Sequence, residues 1–244
     1  MIDIHSHILP MVDDGCQSID QALQMLDQAY RDGTDEIVLT PHLAYPYHFE
    51  NPSVKIKGLF SDFQRIVKDA GIPVKLYPGC EFLFDSVESF YEHLDEITTC
   101  NDTRYLLMEF FFDADGKKMI EAVRCAVEND LIPVIAHPER YESIQVSDHL
   151  ARDLVSSGAL LQMNKGSVFG KYGMMARDTV MDLLEAHLIS FAGSDGHHPI
   201  HRSARMYRDY QFVKELYGRD YSEAIFNDNA AKMLRNVDIR GTKE

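Results

Sequence analysis

The sequence contains no apolar run of the roughly 18 residues that a membrane-spanning helix needs, so stable insertion into a bilayer is not expected. Its start, MIDIHSH, places acidic and histidine side chains where a secretory leader carries an apolar stretch, which leads to the expectation of a cytoplasmic protein. The four cysteines, Cys16, Cys80, Cys100 and Cys125, include no C-x-x-C pair, which excludes a zinc knuckle or a thioredoxin-type motif. In a cytoplasmic chain they read as reduced and structural. None has an arginine six positions later, so the C-x5-R loop of a cysteine phosphatase is absent. Positive charge is scarce as well, with 24 Lys and Arg against 39 Asp and Glu and a formal net charge of −15. A field of that sign, with no dense basic patch, repels nucleic acid and anionic membrane. Bound cations would offset part of it.

What is present alternates between strand and helix over all 244 residues, with no linker or low-complexity tract, so one domain spanning 1–244 is expected. Strands are read at Met1–His5, Glu36–Thr40, Val74–Tyr77, Tyr105–Met108, Pro133–Ala136, Ala159–Met163 and Ile189–Ala192. Between them lie helical patterns: one capped by Ser18, then Val54–Ala70, Lys118–Asn129, one from Ser147 to Gly158, and Met174–His187. Two more, about Ala204–Tyr217 and Ser222–Arg235, close the chain. The spacing of the strand ends fits the ~30 or more residues of a βα unit, and near-continuous apolar strands argue for a parallel sheet buried on both faces. A closed barrel and an open doubly wound sheet both fit this alternation. The barrel is preferred because polar residues end every strand rather than those at one switch point.

Those polar ends carry the chemistry. His5 and His7 form an H-x-H pair, and residues two apart in a strand point the same way. His42, Glu81, Glu109, His137, Asp195 and His197 follow at later strand ends, with Asp14 and Gly15 in the loop after the first strand. In a parallel barrel all of these gather at one mouth. A single strand-end histidine is usually structural; the arrival of ligand-type residues at one strand end after another is what points to metal. Five imidazoles and four carboxylates exceed the needs of one ion, so two or three divalent ions are expected, with a carboxylate such as Glu81 bridging. Nitrogen and oxygen donors without thiolate suit Mn, Fe or Zn. Asp3 reads either as a partner that orients His5 or as an ordinary buried carboxylate.

Three divalent ions, four carboxylates and a hydroxide leave such a pocket slightly positive. Arg140 (in HPER) and Arg202 (in HHPIHR) closely follow ligand positions, and guanidinium is the preferred fork for phosphate oxygens. A phosphate monoester dianion fits that pocket. Tyr45, Tyr47 and His48, after the second strand, are read either as a rim of the substrate entrance or as an aromatic anchor for the loop.

With these residues in place, the sequence resembles the PHP (polymerase and histidinol phosphatase) superfamily. The resemblance rests on HSH at His5–His7 and on Asp195-Gly196-His197. Within the superfamily it is similar to the bacterial tyrosine phosphatases of capsule and exopolysaccharide synthesis, through DIHSHILPMVDDG from Asp3, TPH from Thr40, GCEF from Gly79, AHPERY from Ala136, QMNKGSVFG from Gln162 and SDGH from Ser194. Met11 stands where that pattern carries a glycine. The resemblance implies a distorted (β/α)7 TIM-like barrel of PHP type holding three metal ions, commonly manganese. By motif, His5, His7, Glu81 and Asp195 would hold one ion. Glu81, Glu109 and His137 would hold a second, and Asp14, His42 and His197 the third.

The resemblance also implies a hydrolase that removes phosphate from tyrosine with the help of metal, Arg140 and Arg202 stabilising the transferred group. Its partner would be a phosphotyrosine-bearing protein, such as the tail of a bacterial tyrosine kinase controlling polysaccharide export. Two other readings stay open: a small-molecule phosphatase similar to histidinol phosphatase, and a non-catalytic metal-binding regulatory module. A nuclease is disfavoured by the acidic surface.

Overall fold

The computed structural model describes the chain apart from residues 46, 48, 148 and 242–244, so His48 lies outside the described residues. Among the described residues nine strands are present: β1 (Ile2–Asp3), β2 (Glu36–Leu39), β3 (His42–Leu43), β4 (Lys75–Pro78), β5 (Glu81–Leu83), β6 (Tyr105–Glu109), β7 (Ile132–Ala136), β8 (Leu160–Asn164) and β9 (Ile189–Gly193). They form two sheets with strand orders β1-β2-β4 and β3-β5-β6-β7-β8-β9. Every pairing within them is parallel. The fold is thus mixed α/β with parallel sheets.

The expectation of seven strands needs correction at two of its positions, where the chain crosses from one sheet to the other. The second strand stops at Leu39 and resumes as β3, because Thr40 turns its N–H to Ser6 O (2.8 Å) and Pro41 has no N–H to offer a ladder. The third breaks at Gly79, where an added Cβ would stand 2.9 Å from Val38 Cγ1; only glycine permits that approach of β4 to β2. The first strand is also shorter than the reading of Met1–His5, although its line continues as an isolated parallel bridge between Ser6 and Gly196. Beside that bridge, His7 N–H donates to Gly196 O (2.9 Å) and Asp195 N–H to His5 O (2.8 Å). The start of the chain is therefore hydrogen-bonded to the residues that follow β9.

All five residues of β7 and all five of β8 are buried, which is why they read as continuous apolar runs. The helices cover them with amphipathic faces. In Ile19–Arg31, Ser18 Oγ accepts from Gln21 N–H, and Ala22, Met25, Leu26 and Ala29 recur at helical spacing and are buried. The last expected helix, Ser222–Arg235, instead begins at Arg219 and passes through a π-turn at Ala224–Asp228, so that the adjacent Ile225 and Phe226 are both buried. A short helix at Val87–Glu92, capped by Ser86, was not read from the pattern. None of the described helices is long and apolar enough to cross a membrane.

Met11 has φ 63° and is 65% exposed. That left-handed conformation is costly for a side chain with a Cβ and free for glycine. Met11→Gly is expected to gain about 0.5 kcal/mol once the larger entropy of an unfolded glycine is subtracted, which raises Tm by ~1–2 °C. Differential scanning calorimetry checks this; a lower Tm would mean that the methionine side chain makes a stabilising contact.

Candidate metal centre

The strand ends deliver their side chains to one place. His5 and His7 flank the Ser6 bridge on the stretch that follows β1, and their Nε2 atoms are 3.2 Å apart. Glu81, the first residue of β5, inserts between them, with Oε2 at 3.0 Å from His5 Nε2 and 3.1 Å from His7 Nε2. Asp195 Oδ1 approaches each of the same two nitrogens to 3.6 Å. The other Glu81 oxygen, Oε1, is 3.0 Å from His137 Nε2. His42 faces two ways: Nδ1 lies 2.7 Å from Glu109 Oε1 and 3.3 Å from Glu81 Oε2, while Nε2 lies 3.5 Å from Asp14 Oδ1. His197 Nε2 is 3.4 Å from that same Asp14 oxygen.

All nine residues read as ligands are therefore in one cluster. Among the described residues, three groups have potential ligand atoms that all lie within 4.8 Å of one another: His5, His7 and Glu81; His42, Glu81 and Glu109; and His7, Asp14, His42 and His197. The grouping differs in detail from the one the resemblance implies, since His42 takes the place beside Glu81 and Glu109 that falls there to His137. Two of the nine sit on left-handed backbone, His137 at φ 36° and Asp195 at φ 50°. Non-glycine residues hold such angles where the surrounding structure enforces them, and here the turn aims each side chain inward from the end of its strand.

Whether a cation fits can be judged from the histidine tautomers. Gln162 Nε2 donates to Met163 O (2.6 Å) and Asn164 Oδ1 (3.1 Å), so its Oε1 faces His5 Nδ1 at 2.8 Å and must accept a proton from it. Asp13 Oδ2 likewise accepts from His7 Nδ1 at 2.8 Å. Both rings consequently carry their N–H on Nδ1 and turn an Nε2 lone pair toward the other and toward the Glu81 carboxylate. Electron-rich atoms at 3.0–3.2 Å repel unless a positive charge sits among them. The pKa directions agree. Burial pulls the His5 and His7 imidazolium forms down, but the carboxylates (Glu81 and Asp195 for His5, Asp13 for His7) outweigh it and raise both. Burial would raise the Glu81 carboxyl, yet the charges of His5 and His42 hold it well below the usual range. A proton or a metal ion meets the demand, and the donor set of imidazole and carboxylate suits a divalent metal.

Around this cluster stand supporting residues, and sequence alone assigns no individual role to three of them, Asp13, Gln162 and Asn164. Asp13 is buried; besides His7 it accepts from Gly15 N–H (2.9 Å) and His42 N–H (3.1 Å), so one carboxylate orients two candidate ligands. Gly15 is required for this turn, since a Cβ there would meet His7 O at 2.1 Å. Gln162 and Asn164 alternate at the end of β8 as His5 and His7 do after β1, so the same period-two rule would have found them. Asp3 does not touch the His5 ring: its Oδ1 accepts from His5 N–H (3.2 Å) and Ser194 N–H (2.9 Å), fastening two strand ends together. Asp13→Ala is expected to weaken metal binding ~10–100-fold by freeing the His7 ring, as loss of such orienting partners does elsewhere. Calorimetric metal titration measures this, and unchanged affinity would remove Asp13 from the centre.

Arg140 and Arg202 both reach Asp195 Oδ2, the oxygen turned away from the histidines; Arg140 Nη1 is 3.4 Å from it and Arg202 Nη2 is hydrogen-bonded to it. Asn164 Nδ2 is a third donor to that oxygen. Arg202 Nε is buried with no hydrogen-bond partner among the described residues, a donor left for something else. The Arg140 guanidinium lies between two rings, 4.4 Å from the centroid of Phe112 and 4.6 Å from that of Tyr172. Of the loop aromatics, Tyr45 stacks on His93 at 3.9 Å and anchors the loop, whereas Tyr47 is exposed and meets Phe111 edge-on at 5.2 Å.

Comparison with known proteins places this cluster among relatives. Residues 1–235 match the sequence family described as capsular polysaccharide synthesis, CpsB/CapC. The tyrosine-protein phosphatase YwqE of Bacillus subtilis (strain 168) is 32% identical, over 98% of this chain and 93% of its own. The tyrosine-protein phosphatase CpsB of Streptococcus pneumoniae is 31% identical, over 96% of this chain and 98% of its own. Among solved structures, a chain from the crystallographic work on YwqE and CpsB, described there as unique metal-dependent tyrosine phosphatases, superposes with a TM-score of 0.90 at 31% identity, covering 98% of this chain and 96% of that one.

Proposed function

This chain belongs to the CpsB/CapC family of capsular polysaccharide synthesis, and we propose that it is a metal-dependent phosphoric monoester hydrolase that dephosphorylates tyrosine. The observation that carries the proposal is the meeting of two imidazoles with fixed tautomers on the Glu81 carboxylate, an arrangement that calls for a cation. His5, His7, Asp14, His42, Glu81, Glu109, His137, Asp195 and His197 would hold three divalent ions, manganese for preference, with iron or zinc compatible with the same donors. When bound, such ions supply Lewis-acid charge to phosphoryl oxygens and lower the pKa of water.

The chain's own residues do the rest. Asp13 and Gln162 hold His7 and His5 in the tautomer that presents Nε2. Arg140 and Arg202 bind the non-bridging oxygens of the phosphoryl group, for which the unpartnered Arg202 Nε supplies one donor, and stabilise the charge that builds there during in-line displacement. The tyrosyl phenolate leaves without strong protonation, being a far weaker base than an alkoxide, and takes its proton from solvent.

The two parallel sheets, joined by the hydrogen bonds at Ser6–Gly196, are read as the two parts of a distorted (β/α)7 barrel within a single domain of residues 1–244. The substrate is read as a tyrosine-phosphorylated protein, the tail of a bacterial tyrosine kinase of capsule synthesis being the expected case, met in the cytoplasm. Steady-state hydrolysis of a phosphotyrosine peptide, a phosphoserine peptide and histidinol phosphate tests the substrate class. The proposal expects the first to be preferred; preference for histidinol phosphate would move the chain to small-molecule metabolism.

A further inference from the structure

Beside the ligand cluster lies an apolar cavity of about 290 Å³, at the small end of ligand pockets and suited to a single ring. Its walls are Tyr47, Phe49, Leu83, Phe111 and Phe112, and its polar end is formed by His42 and Glu109, two of the candidate ligands. The aromatic wall comes from the run Phe110-Phe111-Phe112, which directly follows Glu109 at the end of β6. Phe110 turns inward and is 2% exposed, while Phe111 and Phe112 turn outward and are 38% and 47% exposed. Tyr47 faces Phe111 across the opening, and Phe49 stacks on the His42 ring at 5.4 Å. Phe112 also underlies Arg140, so the same aromatic wall borders the phosphate-binding guanidinium. Large, partly exposed aromatics gathered at one edge of a polar site mark a surface made for contact.

We infer that this cavity receives the aryl ring of the substrate and gives the protein its preference for aryl over alkyl phosphate monoesters, an inference that rests on the phosphatase reading above. A ring seated against Phe111 and Phe112 has its ester oxygen directed toward His42 and Glu109, and so toward the cluster. Offset or edge-on contact with the wall favours an aromatic group over an aliphatic one. A serine phosphate has no group to fill the space and leaves the wall wet.

The test is calorimetric titration of the manganese-loaded chain with phenylphosphonate and ethylphosphonate, neither of which can be hydrolysed. The wild-type chain is expected to bind the phenyl compound about tenfold or more tightly than the ethyl one, given the larger apolar area and the aromatic contact. In Phe111→Ala that ratio should fall to within about threefold of one, and Phe111→Tyr, which keeps an aromatic face, should retain it. Phe111 is chosen because it is partly exposed, so its truncation leaves the core intact. No phenyl preference in the wild-type chain, or a preference that survives Phe111→Ala, overturns the assignment. Phenyl preference in a chain that hydrolyses no phosphotyrosine would sink the phosphatase reading and leave the cavity assignment standing. Phosphotyrosine hydrolysis without phenyl preference would do the reverse, and binding of neither compound by a chain that also hydrolyses no phosphotyrosine overturns both.

Discussion

Replacing Glu81 with glutamine is expected to lower phosphotyrosine hydrolysis by at least ~10³-fold and to empty much of the metal centre, because Lewis-acid charge supplies several kcal/mol of transition-state stabilisation. Among the described residues, Glu81 is the one carboxylate within 3.3 Å of four imidazoles: Oε2 faces His5, His7 and His42, and Oε1 faces His137. Glutamine has the same shape, so packing is preserved. It removes the negative charge and turns an amide N–H₂ toward nitrogen lone pairs or toward the ions themselves. Metal content by mass spectrometry, measured beside kcat/KM, separates this loss from unfolding. Wild-type metal content with turnover within tenfold of the wild type would show that Glu81 does not hold the centre together.

Arg202→Ala should cost ~10²-fold in kcat/KM, the usual price of one preorganised donor to a developing oxyanion, while metal content stays as in the wild type. The Arg202 side chain reaches the cluster through Asp195 Oδ2, which keeps Asn164 Nδ2 and Arg140 Nη1 as donors when the guanidinium is removed, and the bond from His197 N–H to Arg202 O (2.8 Å) is made by the backbone and survives the substitution. Arg202→Lys should recover only part of the loss, since an ammonium is a point charge without the planar fork. Inorganic phosphate should inhibit the alanine variant more weakly as well. Unchanged kinetics would remove Arg202 from the site, and a parallel fall in metal content would make it a support of Asp195 instead.

How far these residues could be read in advance follows from what each depends on. His5, His7, His42, Glu81, Glu109, His137, Asp195 and His197 were legible because strand alternation and parallel topology act on sequence directly: a polar residue ending an apolar run emerges at one edge of the sheet. The partners of those residues were harder. Asp13 and Asp14 are neighbours of identical chemistry, and only the fold of the loop on Gly15 sends one to His7 and the other to His42 and His197. Gln162 opens the motif QMNKGSVFG, but its link to His5 crosses 157 positions and no local pattern shows it. The division of two strands at Pro41 and Gly79 depends on how closely β2 and β4 approach, a tertiary matter on which local pattern is silent. The π-turn at Ala224–Asp228 was hidden for the same reason, as a periodic pattern does not reveal one extra residue in a turn.

The cavity walled by Phe111 and Phe112 was equally hidden. Nothing in three successive phenylalanines says which is buried, and only the course of the chain after Glu109 separates the inward one from the outward two.

The measurement that bears most directly on the central claim is hydrolysis of a phosphotyrosine peptide by metal-stripped protein, before and after reloading with manganese. The account predicts no activity in the stripped chain, recovery on reloading, and no recovery in a His5→Ala, His7→Ala double variant. Full activity in the stripped chain, or none with manganese, iron, zinc or cobalt, would contradict it.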